Sequence, residues 1–188
     1  LSETDELKSF FQTHPGLVDG AQFTIPRSLS PWETARSLAA FKSETGQTPV
    51  LYVKSTEASP AETFDDEIAN ARRFAETVMA GLGFGLDVVL DTMDDADRGY
   101  FTRTGLVDRR FNPRLAGELV SAIALQTAGG GWQAAPGDEP VLEREGRRLW
   151  IAEAAEASQG DWICPRSGLP GAPGATPETA LILRTSSA

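Results

Sequence analysis

The most constraining feature of this chain is a pattern that occurs three times: an apolar run, a helix cap with proline at the first helical position, an amphipathic stretch, and glycine. The first copy runs from "VDGAQFTI" (Val18 to Ile25) through "PRSL" into "SPWETARSLAAFKSETG". There Ser30 and Glu33 have capping-box spacing, and Pro31 stands where a missing N–H costs nothing. The second copy joins "PVLYVKS" (Pro49 to Ser55) to "SPAETFDDEIANARRFAETVMAGLG", with Ser59, Pro60 and Glu62 as its start signal. Phe64, Ile68, Ala71, Ala75, Val78 and Leu82 recur at three- and four-residue steps, so one stripe is expected to face a sheet. Asp65, Asp66, Arg72 and Glu76 are expected on the solvated side. In the third copy "LDVVLD" is the strand, Asn112 the cap and Pro113 the first helical residue, and Leu115, Leu119, Val120 and Ile123 form the stripe up to "GGG" at Gly129 to Gly131.

Strand, cap, helix and glycine at a spacing of about thirty to forty residues is the sequence form of successive right-handed βαβ units on a parallel sheet. The fold class is therefore α/β, and "DELKSFFQTHPG" reads as the helix before the first strand. After Gly131 the pattern changes. "PVLEREGRRLWIAEA" is a hairpin around Glu145 and Gly146, "TALILRTSS" a closing strand, and "PRSGLPGAPGATPE" a loop. We expect residues 1–130 to form a partial barrel-like region and residues 131–188 a small antiparallel β appendage. Trp132, Trp150 and Trp162 are read as its packing residues, with sugar stacking as the alternative role.

Three βα units are few for a parallel sheet, which is normally covered on both faces, and a closed barrel takes eight units and about 250 residues. The order strand, "TE", long helix, strand ending in an acid, and then "GLVDRRFNPRLAGELV" resembles the last units of the clan A glycoside hydrolases and related carbohydrate-acting TIM barrels. Those chains carry a segment of the form GL-x-D…N-P-x-x-A into the final helix, and a β domain often follows. The resemblance spans about Val18 to Ala128 and implies the last three βα units of a (β/α)8 barrel, with "VDGAQFTI", "PVLYVKS" and "LDVVLD" as strands six, seven and eight. The partner then expected is the missing N-terminal half of the barrel or a second chain.

Barrel chemistry sits at the carboxyl ends of the strands. These ends supply Thr24, Arg27 and Ser28, then Lys54, Ser55, Thr56 and Glu57, then Asp91, Thr92, Asp94 and Asp95, with Arg98, Arg103, Arg109 and Arg110 to offset the acids. The resemblance implies a nucleophilic carboxylate after strand seven, matched by Glu57 beside Thr56. Retaining glycosidases place two carboxyl groups about 5 to 5.5 Å apart; the clan's acid lies at the end of strand four, upstream of these units. Glu57 and Asp91 are the catalytic candidates, and Arg27, Lys54, Asp94, Asp95, Arg98 and Tyr100 the substrate-binding ones. An acid closing an apolar strand, as Asp91 does, needs a partner or a task.

Other readings stay open for each. Glu57 can be a loop carboxylate before a helix cap, and Lys54 can occupy the inward position at the strand end, either as an ion-pair partner of Asp91 or as a Schiff-base amine of an aldolase-like barrel. "DRGYFTR" and "DRRFNP" can be internal salt bridges holding a loop, with Tyr100 and Phe101 packing it or forming a sugar platform. "MDDADRG" lacks the glycine spacing and closing glutamate of an EF-hand loop, so no metal is assigned. No cofactor is assigned either.

The expected function is a carbohydrate-active, glycoside hydrolase-like enzyme acting on a carbohydrate or sugar-derived small molecule. The alternatives are a sugar-lactone hydrolase on the same barrel, or a non-catalytic sugar-binding or structural α/β domain. A formal charge of −10, from 17 basic and 27 acidic residues, argues against nucleic acid or an anionic membrane as partner. No apolar run approaches the roughly 20 residues of a membrane span, and no signal peptide is read at the start, so a soluble chain is expected, cytoplasmic slightly favoured. Leu1 in place of Met reads as the start of a processed or truncated chain. Cys164 is the single cysteine and His14 the single histidine, which excludes an internal disulfide and leaves little for zinc or Cys/His catalysis; His14 is given no role.

Overall fold

The computed structural model describes residues 2–54, 67–91, 93, 105–159, 161–172 and 175–187. Helix α1 (Ser2–Thr13) leads to β1 (Gln22–Thr24), α2 (Pro31–Thr45), β2 (Val50–Lys54), α3 (Glu67–Phe84), β3 (Asp87–Asp91) and α4 (Leu115–Thr127). The remainder is β4 (Gln133–Ala134), β5 (Val141–Arg144), β6 (Arg147–Glu153), a 3-10 turn (Ala154–Gln159), β7 (Trp162–Ile163) and β8 (Leu181–Ser187). The chain is a mixed α/β structure with two sheets. One is parallel in the order β1-β2-β3, the other antiparallel in the order β4-β5-β6-β8-β7.

Local signals account for most boundaries. Ser30 caps α2, its Oγ accepting from the Glu33 N–H at 3.3 Å, with Pro31 at the first helical position. Gly46, at φ 71°, ends the helix in the left-handed conformation that glycine adopts without a Cβ clash. At the expected hairpin, Glu145 (φ 51°) and Gly146 (φ 76°) make the two-residue turn whose twist suits paired strands. The first strand is shorter than the expected Val18 to Ile25. Gln22, Phe23 and Thr24 are in register with β2, and the flanking Ala21 and Ile25 each share one backbone hydrogen bond with it.

Two helical expectations need correction. Asn112 and Pro113 do not start α4: Pro113 pairs with Val107 in an isolated bridge, Arg114 is the cap, and the helix begins at Leu115. On α3 the buried arc is wider and rotated from the expected stripe. Ala71 and Ala75 are buried, but Ile68 and Leu82 are exposed, while Asn70, Phe74, Thr77, Met79, Ala80 and Gly81 are buried. The reason is tertiary, because α3 contacts α2, α4 and both sheets and so has no single inner stripe. Small residues permit the crowding. A Cβ on Gly81 would fall 2.3 Å from Val88 Cγ2, and one on Gly83 would meet Leu142, Ala134 and Trp32. The start signal at Ser59, Pro60 and Glu62, together with Phe64, Asp65 and Asp66, lies outside the described residues.

One hydrophobic core joins the two regions expected from the sequence, running from Phe11, Trp32 and Phe41 through Leu51, Phe74 and Leu119 to Leu142, Leu149 and Leu183. Polar ties follow the same route: Arg36 of α2 binds Asp138 and the Gly137 carbonyl, and Arg72 of α3 pairs with Glu153 of β6. Trp132 is buried and Trp150 and Trp162 are half-buried, as packing residues. Guanidinium groups lie over two of the rings, Arg147 on Trp132 at 5.8 Å and Arg184 on Trp150 at 5.1 Å.

The two faces of the parallel sheet differ. Phe23, Leu51, Val53, Val88 and Leu90 alternate onto the face that packs into the core. Gln22, Thr24, Val50, Tyr52, Asp87, Val89 and Asp91 alternate onto the other, where Val89 is 43% exposed and Val50, Tyr52 and Asp91 are half-buried. Among the described residues nothing covers this second face as the helices cover the first.

Candidate functional site

Toward the carboxyl ends of β2 and β3 the open face carries a hydrogen-bonded polar pair, while Gln22 and Asp87 stand at the opposite ends of their strands. Tyr52 Oη donates to Asp91 Oδ2 at 2.5 Å, between neighbouring strands. The bond to Asp91 is the main reason that the Tyr52 hydroxyl is held above its ordinary pKa, with burial and the carboxylate's charge acting in the same direction. Tyr52 is thus a neutral donor that fixes one carboxylate oxygen of Asp91 and gives the acid the partner that its position calls for. Lys54 is the register partner of Asp91. The Tyr52 pairing was not expected from the sequence. The available signal was alternation, which puts residue 52 on the face of residue 54, opposite residues 89 and 91.

Arg27 and Ser28 lie in the turn that follows β1, exposed, and Thr24 ends that strand. The Leu29 N–H closes the turn onto the Pro26 carbonyl at 3.1 Å. Helix α3 holds both flanks of this turn. Arg73 donates to the carbonyls of Ile25 (2.9 Å), Pro26 (2.8 Å) and Leu29 (2.9 Å). Glu76 Oε1 accepts from Ser30 Oγ at 2.6 Å and from the Trp32 N–H at 3.0 Å. Glu76 therefore is not a solvated residue as expected, but a second cap for α2. Arg72, expected on the solvated side, is at the surface and ion-paired there with Glu153.

The loop from β3 to α4 is set by Asp108. Its Oδ1 accepts from the backbone N–H groups of Arg110 (2.7 Å) and Asn112 (2.9 Å), and its Oδ2 from Asn112 Nδ2 (2.9 Å). These bonds, that of the Asn112 side chain first, hold the Asp108 carboxyl below the ordinary carboxylate range. They also take up Asn112, the expected helix cap. The "DRRFNP" segment is held by this hydrogen-bonded turn, and Arg109 and Arg110 are exposed. Met93 O accepts from the N–H groups of Leu106 (2.9 Å) and Val107 (3.0 Å), which ties the loop to the end of β3. Gly117 lets α4 approach, since a Cβ there would fall 2.3 Å from the Leu106 carbonyl oxygen.

The other site candidates, Glu57, Asp94, Asp95, Arg98 and Tyr100, lie outside the described residues, as do Ser55, Thr56, Thr92, Phe101 and Arg103. His14 stacks on Phe10 at 5.0 Å. Among the described residues no group of three or more His, Cys, Asp or Glu side chains could hold a metal ion, and no helix is long and apolar enough to cross a membrane.

Two clefts are lined by residues other than Asp91. One of about 330 Å³ lies between the first turns of α3 and α4, and its charges are paired: Arg114 with Glu67 at 3.9 Å, and Arg166 with Glu118 at 3.1 Å and Glu178 at 3.0 Å. The larger, of about 890 Å³, is walled by Trp162, Arg147, Asp161 and Gln126. Gln126 is at the last turn of α4, roughly 16 Å along the helix from Leu115. The cleft is walled by residues of the antiparallel region and the end of α4, with none from β1, β2 or β3. Comparison with protein-family models, with curated proteins and with solved structures finds no match to this chain.

Proposed function

We propose that this chain belongs to a carbohydrate-active hydrolase of the glycoside hydrolase kind, with its polar pocket at the carboxyl ends of the parallel strands. The observation that carries the reading is the Tyr52–Asp91 pair on the open face of the sheet, at the end where barrel chemistry is done. The winding supports it too. Successive strands are spatial neighbours, α2 and α4 both flank α3, and the opposite face is left for polar residues, as in a singly wound barrel whose interior is lined by alternate strand residues.

In this reading Asp91, oriented by Tyr52, accepts hydrogen bonds from sugar hydroxyls, and Arg27 donates to the same substrate. Glu57 is the nucleophile: a carboxylate oxygen bonds to the anomeric carbon as the glycosidic C–O bond breaks, and the departing oxygen takes a proton from a second carboxylic acid upstream of these units. Water then cleaves the glycosyl ester and restores Glu57. The test is Glu57→Gln in the full-length protein, assayed with a panel of 4-nitrophenyl glycosides and for binding of the glycoside that the wild type cleaves. Hydrolysis is expected to be abolished with binding largely kept. Unchanged turnover would remove Glu57 from the mechanism, and no turnover by the wild type would favour a binding role.

A further inference from the structure

We infer that Arg73 and Glu76 are positioning residues of this site: from one face of α3 they hold the turn that presents Arg27 and Ser28 at the carboxyl end of β1. The inference rests on the hydrolase reading above, because it gives the turn a substrate to meet.

The two side chains are three residues apart, hence neighbours on the helix surface. Between them they grip Ile25 to Trp32 on either side of the exposed tip. Arg73 takes three backbone carbonyls on the strand side, and Glu76 takes a hydroxyl and a backbone N–H on the helix side. A guanidinium has the fixed fork of donors that three converging carbonyls require, whereas an ammonium has neither the planarity nor the reach. Both grips are charge-assisted, and the Glu76 bonds and the Arg73 bond to Ile25 are partly shielded from water, which strengthens them over ordinary turn hydrogen bonds. Capping α2 takes Ser30 for the Glu33 N–H and Glu76 for the Trp32 N–H, and does not call on Arg73. The additional grip by Arg73 falls on Ile25, Pro26 and Leu29, which bracket Arg27 and Ser28. A tip fixed at both ends meets a ligand with little ordering left to do, and that is how a residue without substrate contact acts on binding.

The test uses the full-length protein and the variants R73K, E76A, E76Q, R27A and R27A/R73K, followed by amide hydrogen exchange and by turnover of 4-nitrophenyl glycosides. R73K is expected to lower protection of the Leu29 amide on the order of tenfold. It is also expected to raise KM on the order of tenfold while kcat stays within about twofold. The double variant should be no worse than R27A alone, because Arg73 acts through Arg27. E76A should loosen the same turn, and E76Q, whose amide oxygen can still accept both hydrogen bonds, should restore it. Unchanged Leu29 protection in R73K and E76A would overturn the grip. Additive losses in the double variant, or a fall in kcat with KM constant, would overturn its action through Arg27. An inactive wild type would overturn the hydrolase reading and the positioning role with it, while exchange would still decide whether the turn is held.

Discussion

Tyr52→Phe should expose how far the Tyr52–Asp91 pair organises the open face. The variant keeps the ring and deletes one hydroxyl, so the loss is one hydrogen bond of 2.5 Å to a carboxylate. Bonds to charged groups contribute about 1.5–3 kcal/mol when buried. Both residues here are half-buried, so solvent screening brings the expected loss to about 1 kcal/mol. Urea unfolding at pH 7 should show a midpoint lower by roughly 0.5 M for a slope near 2 kcal/mol/M. A cycle with Asp91→Ala and the double variant should return a coupling of about 1 kcal/mol. The pH dependence has a definite sign. The Tyr52 pKa is raised in the folded chain, so this contribution is fully present below the unfolded value of about 10 and is lost as pH rises through the folded value. The gap between wild type and Tyr52→Phe should therefore be constant at neutral pH and close above about pH 10. A coupling below about 0.3 kcal/mol, within the error of additivity, or a gap that widens in alkali, would refute the reasoning.

Gly117→Ala should destabilise although alanine is the better helix former. Relieving a 2.3 Å approach to the Leu106 carbonyl costs about 2–4 kcal/mol in overpacking and disturbed loop bonds, less about 1 kcal/mol of propensity, so calorimetry should show Tm lower by roughly 3–10 °C. Ser121→Ala, exposed on the same helix, is the control and should change stability by less than about 0.5 kcal/mol. The Asp108 carboxyl is held low by Asn112, so its contribution is present above the unfolded carboxylate value, near 3.8, and is lost as pH falls through the folded one. Exchange protection of the Asn112 amide should drop in that acid range in the wild type, and Asp108→Ala should lack both the protection and the step.

What the sequence made legible was mostly local. Ser30, Pro31 and Gly46 bound α2 through groups within one turn of each other, and the Glu145–Gly146 turn is set by its own two dihedrals. The second and third parallel strands were also legible, as apolar runs of strand length, while the first is shorter than its alternating stretch. Asn112 followed by Pro113 has the form of a helix start, but Asp108, four residues upstream, competes for the Asn112 side chain and backbone and wins. In α3 the apolar period missed Asn70, Thr77 and Gly81. Their burial depends on what surrounds the helix, and Thr77 meets it by bonding back to the Arg73 carbonyl. Of the candidate site, Asp91 and the position of Lys54 were readable as strand ends. The Tyr52 hydroxyl, the Arg73 grip and the Glu76 cap were not, because each joins residues 39 to 48 positions apart.

The two sheets together constrain where a site can be. The antiparallel sheet covers the helix layer, contacting α3 through β4, β5 and β6 and α4 through β8, so that layer is occupied on both of its sides. The parallel sheet has already given its apolar face to the same helices. Its remaining face carries Tyr52 and Asp91 in a hydrogen-bonded pair, with Val50 and Val89 between polar neighbours. Parallel sheets are seldom left bare on one side, and a face to be covered by plain packing would be nearly continuous in valine, isoleucine and leucine. This face has instead Asp91 at the end of β3, Tyr52 at the middle of β2 bonded to it, and Gln22 and Asp87 at the amino ends of β1 and β3. The hydrogen-bonded Tyr52–Asp91 pair, which plain packing would not require, is why the candidate site is placed toward the carboxyl ends of β2 and β3 in preference to the larger cleft beside Trp162.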